Sequence, residues 1–343
     1  MGSSATLPPM AKRNDSIRAL LDALDDPSLV VERQVVQTAN APARELLGEG
    51  IESRDLRLAI RHPRALEFAL AGEAGEIELT GIGELGRPWR LSVRPIGDGT
   101  LLLRLVDRSR VHAAEKLRVD FVANASHELR TPLTAVLGYA ESLEDGDLEP
   151  ELVSRFASTI SGEAKRMLRI IEDLMSLSRI EADRFVAPAD DISLGAILRS
   201  SVENIRRTAE QCGCDVQLDV QDGLPPVQGD FPQLAQMIDN LLSNAVRYGC
   251  VAPECKIRAS AQADGQWVRI DVSDTGPGIP RDHLPFITRR FYRVDEARSR
   301  DSGGTGLGLA IVKHVVERHR GSLSIDSKIG EGTIVTVRLP VAG

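Results

Sequence analysis

The 343-residue sequence has few aromatic side chains and no long apolar run. It contains only 7 Phe, 3 Tyr and 2 Trp, so we expect its cores to consist mainly of Leu, Ile, Val and Ala. No stretch approaches the ~18 consecutive apolar residues that a membrane-spanning helix needs, and the polar N-terminus lacks the apolar centre of a signal peptide. We therefore expect a cytoplasmic chain without a membrane segment, or the soluble part of a membrane-anchored protein.

An excess of positive charge and a disulfide framework are also missing. The 42 Lys and Arg are outnumbered by 50 Asp and Glu, which argues against direct nucleic-acid binding through a basic surface. The 4 cysteines predict reduced thiols, as is usual for a chain of this kind. Cys212, Cys214, Cys250 and Cys255 could form a four-thiolate zinc site if their loops meet. Their spacing is not a usual zinc pattern, so free thiols are the favoured interpretation.

Composition and apolar periodicity divide the chain into five segments. A polar lead-in over residues 1–15 precedes residues 16–110, where strands and short helices predict a small α+β module. Residues 111–184 carry two long helical patterns with apolar positions three and four apart, which predict a helical hairpin. A linker over 185–192 leads to residues 193–343, where helices and strands predict a two-layer α/β sandwich. The fold class is therefore a multidomain α+β protein.

The hairpin and the last segment support more detailed predictions. Each hairpin helix has an apolar side that a single hairpin cannot fully bury, so two copies are expected to form a four-helix bundle in a homodimer. In the last segment the predicted helices lie at 194–210, 231–248, 282–289 and 307–318, and the predicted strands at 215–220, 256–261, 267–273, 322–326 and 333–339.

Glycine-rich turns in the last segment indicate a nucleotide site without a Walker-type loop, since no G-x-x-x-x-G-K-[ST] occurs. Asp274, Gly276 and Gly278 follow a predicted strand. Glycine permits close backbone approach, and a carboxylate at a strand end can accept a hydrogen bond from an exocyclic amine such as that of adenine. Because D-x-G-x-G alone is a weak signal, a simple turn remains the alternative.

Two further glycine turns follow. The first contains Gly304, Thr305, Gly306, Leu307 and Gly308 and opens a predicted helix. Its backbone N–H groups predict a phosphate cradle, and the charged, small residues of 293–302 before it predict a mobile lid. The second turn, at 330–333, ends on Thr333 and by itself is most simply structural.

A polar stripe lies on the predicted helix 231–248. The stripe consists of Asn240, Asn244, Arg247 and Tyr248. Residues three or four positions apart lie on one face of a helix, and only Arg247 and Tyr248 are directly adjacent. Amide oxygens suit Mg²⁺, and Arg247 can neutralise phosphate charge. A solvated face is the alternative, but paired Asn residues in mid-helix are poor helix formers, which favours a functional interpretation.

The first long helix contains a His, an acid and a hydroxyl within about one turn. His127 is followed by Glu128 and Thr131, and Pro132 comes next. Proline removes the hydrogen bond to the Glu128 carbonyl and is expected to kink the helix. Packing alone does not explain this combination, so His127 is a candidate reactive group.

These motifs together resemble those of bacterial two-component sensor histidine kinases. The matching segments stand in the family's order over residues 111–343. They are an H box (124–133), an N box (240–248), a first glycine box (274–278), an F box (290–295), a second glycine box (304–308) and a further glycine turn (330–333). The first module, with Asn40-Ala-Pro-Ala after a strand, resembles a PAS sensor domain, and the whole is most like the phosphate-regulon type of sensor kinase.

The resemblance implies a dimeric four-helix bundle joined to an ATP-binding domain of the Bergerat (GHKL) type. It implies that His127 takes the γ-phosphoryl group of Mg-ATP and passes it to an aspartate in the receiver domain of a response regulator, expected to be DNA-binding. Glu128 would orient the His127 ring, and Thr131 would orient water in a reverse phosphatase reaction. The residues that would bind nucleotide are Asn240, Asn244 (also on the metal), Arg247, Tyr248, Asp274 (on adenine), Gly276, Gly278, Arg290, Arg293, Gly304, Thr305, Gly306, Leu307, Gly308 and Thr333.

Two other functions stay open at this point. A phosphatase-dominant or partner-gated module with little autokinase activity would carry the same motifs. A plain ATPase is disfavoured, because Asn240 stands where the related ATPases carry a water-activating Glu, and because His127 is present.

Overall fold

The computed structural model describes residues 17–342 except 85, 98, 145, 147, 184–185, 251–254 and 295–303. The predicted lead-in, most of the predicted lid and Asp295 of the F box lie outside the described residues. The chain divides into two compact units, Met1–Asp120 and Phe121–Gly343. None of the helices in the described part of the chain combines the length and apolarity that a membrane crossing requires.

The first unit is built on a five-stranded antiparallel sheet in the order β2-β1-β5-β4-β3. The strands are β1 Ser28–Glu32, β2 Val35–Ala39, β3 Gly75–Thr80, β4 Pro88–Gly97 and β5 Thr100–Asp107. Between β2 and β3 lie the helices α1 Ala41–Leu47, α2 Leu56–Ala59 and α3 Pro63–Ala71. In β4, buried Trp89, Leu91 and Val93 alternate with more exposed residues, so one face of the sheet packs on the core.

Asn40 organises the start of this unit. Its fully buried side-chain oxygen accepts hydrogen bonds from the backbone N–H of Ser28 and of Ala43, at 2.9 and 3.0 Å. Its amide nitrogen donates to three carbonyl oxygens before β1, those of Leu21, Leu24 and Asp26. The side chain therefore caps α1 and fixes the chain that enters the sheet.

Two long helices follow, α4 Ser109–Glu144 and α5 Pro150–Ala182. Helix α4 continues through Pro132 to its end at Glu144. The rings of Tyr139 on α4 and Phe156 on α5 lie 5.0 Å apart, centroid to centroid. The predicted helical hairpin is therefore present, with five residues between its helices.

The rest of the second unit is a two-layer α/β domain. Its five-stranded sheet has the order β11-β12-β10-β9-β7, in which only the β7–β9 pair is parallel. The strands are β7 Asp215–Val220, β9 Lys256–Asp264, β10 Trp267–Asp274, β11 Ser322–Lys328 and β12 Gly332–Pro340. The helices are α6 Leu194–Gln211, α7 Phe231–Asn244 and α8 Gly308–Arg318, whose buried apolar residues share one core with the sheet. The predicted sandwich is confirmed.

Three local predictions for this domain differ from the structure. The helix predicted at 282–289 is only a 3₁₀ turn, Arg281–His283, because Pro285 removes a donor and restricts the residue before it. The helix predicted at 231–248 ends as α-helix at Asn244 and continues as the π-helical turn Ala245–Gly249. Residues placed in the linker form β6, Asp190–Ile192, which pairs with the unpredicted strand β8, Val227–Gly229.

The prediction of free thiols is confirmed for Cys212, which is exposed, whereas the other three cysteines lie together, which the prediction did not anticipate. The sulfur atoms of Cys214, Cys250 and Cys255, here called the cysteine cluster, lie within 4.8 Å of one another. The reason is the parallel pairing of β7 with β9, which sets Asp215 opposite Lys256 and so brings the residues before them together.

His319, at the end of α8, joins this helix to the start of α7. It is 4% exposed, its Nε2 accepts a hydrogen bond from the Asp230 N–H at 3.0 Å, and its Nδ1 lies 2.8 Å from the Val315 carbonyl oxygen. Only the neutral ring with the proton on Nδ1 makes both bonds. Burial accordingly lowers the pKa of His319.

We expect His319→Phe to lower the free energy of unfolding by about 2 kcal/mol at pH 7.5, since the Asp230 N–H loses its acceptor. The unfolded chain protonates this His below pH ~6.5 while the native state resists protonation, so wild-type stability falls as pH drops. Urea unfolding at pH 7.5 and pH 5.5 should show a smaller fall for the variant. An equal fall in both proteins would contradict the role given to His319.

Candidate functional site

Asp274 lies where β10 ends against the π-helical turn that follows α7. A Cβ atom added to Gly249, the last residue of that turn, would come within 2.6 Å of the Asp274 Cβ. A Cβ on Gly276 would lie 2.6 Å from the Gly249 Cα. Both positions therefore require glycine, and the first glycine box is in direct contact with the end of the N box.

The Asp274 carboxylate is partly buried and partly satisfied. Its Oδ1 accepts a hydrogen bond from the Gly276 N–H at 2.9 Å. Burial raises the pKa of Asp274, and hydrogen bonds from the backbone of Gly276 and Thr333 oppose that rise. Thr333 pairs with Asp274 across β12 and β10, and Gly278, at φ +72°, packs on the Lys328 backbone. The carboxylate keeps acceptor capacity for an amine donor at this edge of the sheet.

The second glycine box lies against the polar stripe of the N box. A Cβ on Gly308 would be 3.3 Å from Asn240 Oδ1 and 3.8 Å from Asn244 Nδ2. A Cβ on Gly304 would be 2.6 Å from the Tyr248 hydroxyl and 3.6 Å from Arg247 Nη1. The structure therefore brings the two motifs together as predicted, although the contacting residues are 56 to 68 positions apart in sequence.

The same region holds polar groups without protein partners. Among the described residues, the buried Asn240 Nδ2 has no hydrogen-bond partner. An unpaired buried amide donor is costly unless a ligand or water satisfies it. Amide oxygens at Asn240 and Asn244, a cation at Arg247 and glycine backbone at the start of α8 fit a nucleotide with a hydrated Mg²⁺.

The F box packs against the second glycine box. The Phe291 N–H donates to the Gly306 carbonyl at 2.8 Å, and a Cβ on Gly306, at φ +70°, would lie 2.9 Å from the Phe291 backbone. Phe291 itself has φ +61°, a conformation that costs free energy for a bulky residue. Its ring lies 5.9 Å from that of Phe121 on α4, centroid to centroid.

Arg290 and Arg293 differ from the expectation that they face phosphate groups. Arg293 Nη2 donates to Glu128 Oε2 at 2.9 Å and also to the Gly304 carbonyl. Arg290 pairs with Glu181 on α5, and its guanidinium lies 5.1 Å from the centre of the Phe121 ring. In this arrangement both arginines join the α/β domain to the hairpin, because hairpin carboxylates lie within their reach.

Glu128 also differs from expectation. Its carboxylate is held by Arg293 and, at 3.4 Å, by Arg166 on α5, and no bond from it to the His127 ring occurs among the described residues. Neighbouring residues on a helix point in different directions, which explains the absence. His127 is exposed. Thr131 is exposed one turn later, with its hydroxyl 3.3 Å from the His127 carbonyl oxygen.

Comparison with known proteins identifies two families along the chain. Residues 117–183 match the His Kinase A (phospho-acceptor) domain, and residues 229–343 match the Histidine kinase-, DNA gyrase B-, and HSP90-like ATPase family. The sensor-like histidine kinase SenX3 of Mycolicibacterium smegmatis is 35% identical over 277 residues, which cover 78% of this chain and 71% of SenX3. The chain belongs to the sensor histidine kinases.

The kinase is also similar to the phosphate regulon sensor protein PhoR of Pseudomonas aeruginosa. The identity is 39% over 285 residues, which cover 81% of the kinase and 62% of PhoR, so the chain spans less than two thirds of that relative. A crystal structure of the histidine kinase ThkA in complex with the response regulator protein TrrA has the same fold. Its TM-score is 0.52 at 18% identity, with coverage of 94% of this chain and 98% of the matched one.

The loop of the second glycine box is tied to the hairpin of the kinase by Thr305. The buried Thr305 hydroxyl donates to Asp173 Oδ2 on α5 at 2.7 Å and accepts from the N–H of the fully buried Leu307 at 3.2 Å. Burial raises the pKa of Asp173. Sequence reasoning missed Asp173, Glu181 and Arg166, because on α5 they are ordinary polar positions of an amphipathic helix and their partners lie 38 to 132 residues away.

We expect Asp173→Ala to increase amide hydrogen exchange in residues 304–310 of the kinase by about fivefold, since Thr305 loses its acceptor and one hydrogen bond contributes about 1 kcal/mol. Asp173→Asn keeps an acceptor oxygen and should change exchange much less. Glu172→Ala, at the exposed neighbouring position, is the matched control. Equal exchange in all four proteins would show that the Asp173–Thr305 bond does not hold the loop.

Proposed function

We propose that the kinase transfers the γ-phosphoryl group of Mg-ATP to His127 and then to an aspartate in the receiver domain of a response regulator. The observation that carries this proposal is the pair of hydrogen bonds that Arg293 donates. One goes to the Gly304 carbonyl of the second glycine box, and the other goes to the carboxylate of Glu128 beside His127. One side chain thus connects the proposed nucleotide site to the helix that carries the acceptor.

The proposed nucleotide site uses the contacts between the glycine boxes and the N box. Asp274 would accept a hydrogen bond from the exocyclic amine of adenine, beside Gly276, Gly278 and Thr333. Arg247, Tyr248 and the backbone from Gly304 to Gly308 would bind the phosphates, for which a glycine-rich helix start is suited. Bound Mg²⁺, held by Asn244 beside Asn240, would supply charge neutralisation between the phosphates.

At His127, a neutral ring nitrogen attacks the γ-phosphorus, the N–P bond forms as the bond to the ADP oxygen breaks, and ADP leaves. Such a step depends mostly on positioning and charge stabilisation. Because Glu128 is engaged by Arg293 and Arg166, the proton on the other ring nitrogen leaves to solvent, to which His127 is exposed. The N–P bond is reactive enough to phosphorylate a carboxylate of the regulator.

Asn240 and Thr131 bear on the fate of the phosphoryl group. Asn240 is an amide and not a carboxylate, so this position offers no general base to activate water. The proposed site therefore favours phosphoryl transfer to His127 over hydrolysis of ATP. The exposed Thr131 hydroxyl is placed to orient water in the reverse reaction, so we include regulator dephosphorylation in the proposed function.

The proposal extends to assembly and location. Large apolar side chains on the hairpin remain exposed in the single chain, with Leu137 at 53%, Leu168 at 56% and Met175 at 51%, and a second hairpin would cover them in a homodimer.

Residues 16–110 would form a PAS-type sensor, supported by the Asn40 motif and the five-stranded antiparallel sheet. The hairpin would extend over 111–184, the linker over 185–192 and the catalytic domain over 193–343. Use of ATP and of a response regulator would put this activity in the cytoplasm.

The test incubates the chain with γ-labelled ATP and Mg²⁺ and then adds a panel of receiver domains. We expect label on the kinase that is stable in alkali and lost in acid, and that moves to at least one receiver domain. Labelled ATP that is consumed without any protein label would favour a plain ATPase. Bound ATP with no label, together with accelerated loss of phosphate from a receiver domain, would favour a phosphatase-dominant protein.

A further inference from the structure

The cysteine cluster joins three elements at one end of the α/β domain. Cys214 immediately precedes β7, Cys255 immediately precedes β9, and Cys250 follows the π-helical turn after α7. The Cα atom of Cys214 lies 5.8 Å from that of Cys250 and 4.9 Å from that of Cys255. Cys214 and Cys255 are 4% and 3% exposed, and Cys250 is partly buried.

A disulfide does not account for this arrangement. The Cys214 sulfur lies beside the sulfurs of both Cys250 and Cys255, but a sulfur atom can form a disulfide bond with only one of them. Any single disulfide would leave the third thiol buried beside it without a partner. A cation with affinity for sulfur would engage all three atoms at once.

We propose that Cys214, Cys250 and Cys255 form a three-thiolate binding site for a zinc ion. Zn²⁺ binds thiolates at about 2.3 Å in tetrahedral geometry, which sets its sulfur ligands about 3.8 Å apart. The sulfur atoms of the cluster all lie within 4.8 Å of one another, so rotation of the side chains would let the three thiolates converge on one ion. One position is left for a further ligand, and binding releases the thiol protons.

The neighbours of the site give the ion a structural role. Cys250 follows Gly249, whose backbone packs on Asp274, and Cys255 precedes Lys256, whose N–H donates to Thr275 Oγ1 at 2.9 Å. Lys256 also accepts from the Thr275 N–H at 3.2 Å. An ion at the cluster would therefore fix the end of the N box and the start of β9 around the first glycine box. The metal site itself does not depend on the proposed kinase reaction.

The test is metal analysis of the purified full chain, isolated without added metal or chelator. We expect about one zinc per chain by plasma mass spectrometry. Chain stripped of metal and reloaded with Co²⁺ should show thiolate-to-cobalt charge-transfer absorption. Cys214→Ser should lose both signals, and Cys250→Ser, at the more exposed ligand, should lose them while keeping the wild-type circular dichroism spectrum.

Cys212→Ser is the matched control, since this exposed cysteine lies outside the cluster, and it should retain the full zinc content. Zinc removal should lower the melting temperature of wild type and of Cys212→Ser but not that of Cys214→Ser. A wild-type chain that binds neither zinc nor cobalt and carries one disulfide by alkylation and mass spectrometry would overturn the proposal. Loss of zinc from Cys212→Ser would overturn the three-ligand assignment.

Discussion

His127→Gln is expected to reduce phosphorylation of the chain by ATP by about 10³-fold or more, equivalent to about 4 kcal/mol of lost transition-state stabilisation. Glutamine has no ring nitrogen to attack the γ-phosphorus, and no other His lies in the H box. His127 is exposed and its side chain makes no hydrogen bond among the described residues, so the variant should fold as wild type. ATP affinity, measured with a fluorescent analogue, should be unchanged.

The control for His127 is His112→Gln, because His112 is exposed on the same helix. It should be phosphorylated at the wild-type rate. If His127→Gln were labelled as strongly as wild type, His127 would not be the residue that accepts the phosphoryl group. Loss of ATP binding in His127→Gln would show that the substitution acts through the nucleotide site instead.

The second large effect is expected at Asp274. We predict that Asp274→Asn weakens ATP binding by about 100-fold, or about 2.7 kcal/mol, since a charged acceptor of the adenine amine is replaced. The same variant should lose less affinity for inosine triphosphate, whose ring carbonyl can accept from the new amide. Titration calorimetry of wild type and variant with both nucleotides gives the loss of affinity for each. The control is Asp282→Asn, at an exposed position on the 3₁₀ turn.

The affinity of wild type for ATP should also depend on pH through Asp274. Because burial raises the pKa of this carboxyl, it accepts a proton at a higher pH than an ordinary aspartate, and the protonated form is a poorer acceptor. Binding should therefore weaken as pH falls, beginning above the usual Asp range, and Asp274→Asn should show a flatter profile. Equal ATP and inosine triphosphate affinities in wild type would place the adenine elsewhere.

The sequence was sufficient to predict those parts of the site that depend on short-range patterns. Asp274 could be placed at a strand end because β10 alternates buried and exposed residues, and Asn240 and Asn244 share a face because helical spacing requires it. The glycines of the boxes are needed where another backbone approaches closely, as Gly306 and Phe291 show. Such requirements act over a few residues, so a local pattern carries them.

Contacts between the α/β domain and the hairpin could not be predicted in this way. Glu128 and Arg293 are 165 residues apart, and Thr305 and Asp173 are 132 apart. Their pairing depends on how two preformed surfaces meet. Whether the cysteine loops meet could also not be predicted, because only the parallel register of β7 and β9 brings Cys214 beside Cys255. The contacts of Arg290 and Arg293 with the hairpin could not be predicted for the same reason.

The most direct test of the central claim is localisation of the phosphoryl group on wild-type kinase. The chain is incubated with Mg-ATP, digested at alkaline pH and sequenced by electron-transfer fragmentation, which preserves N–P bonds. The mechanism predicts a single major modified residue, His127, with the phosphoryl group on a ring nitrogen. A phosphoryl group found mainly on a Ser, Thr or Asp side chain, or on another His, would contradict it.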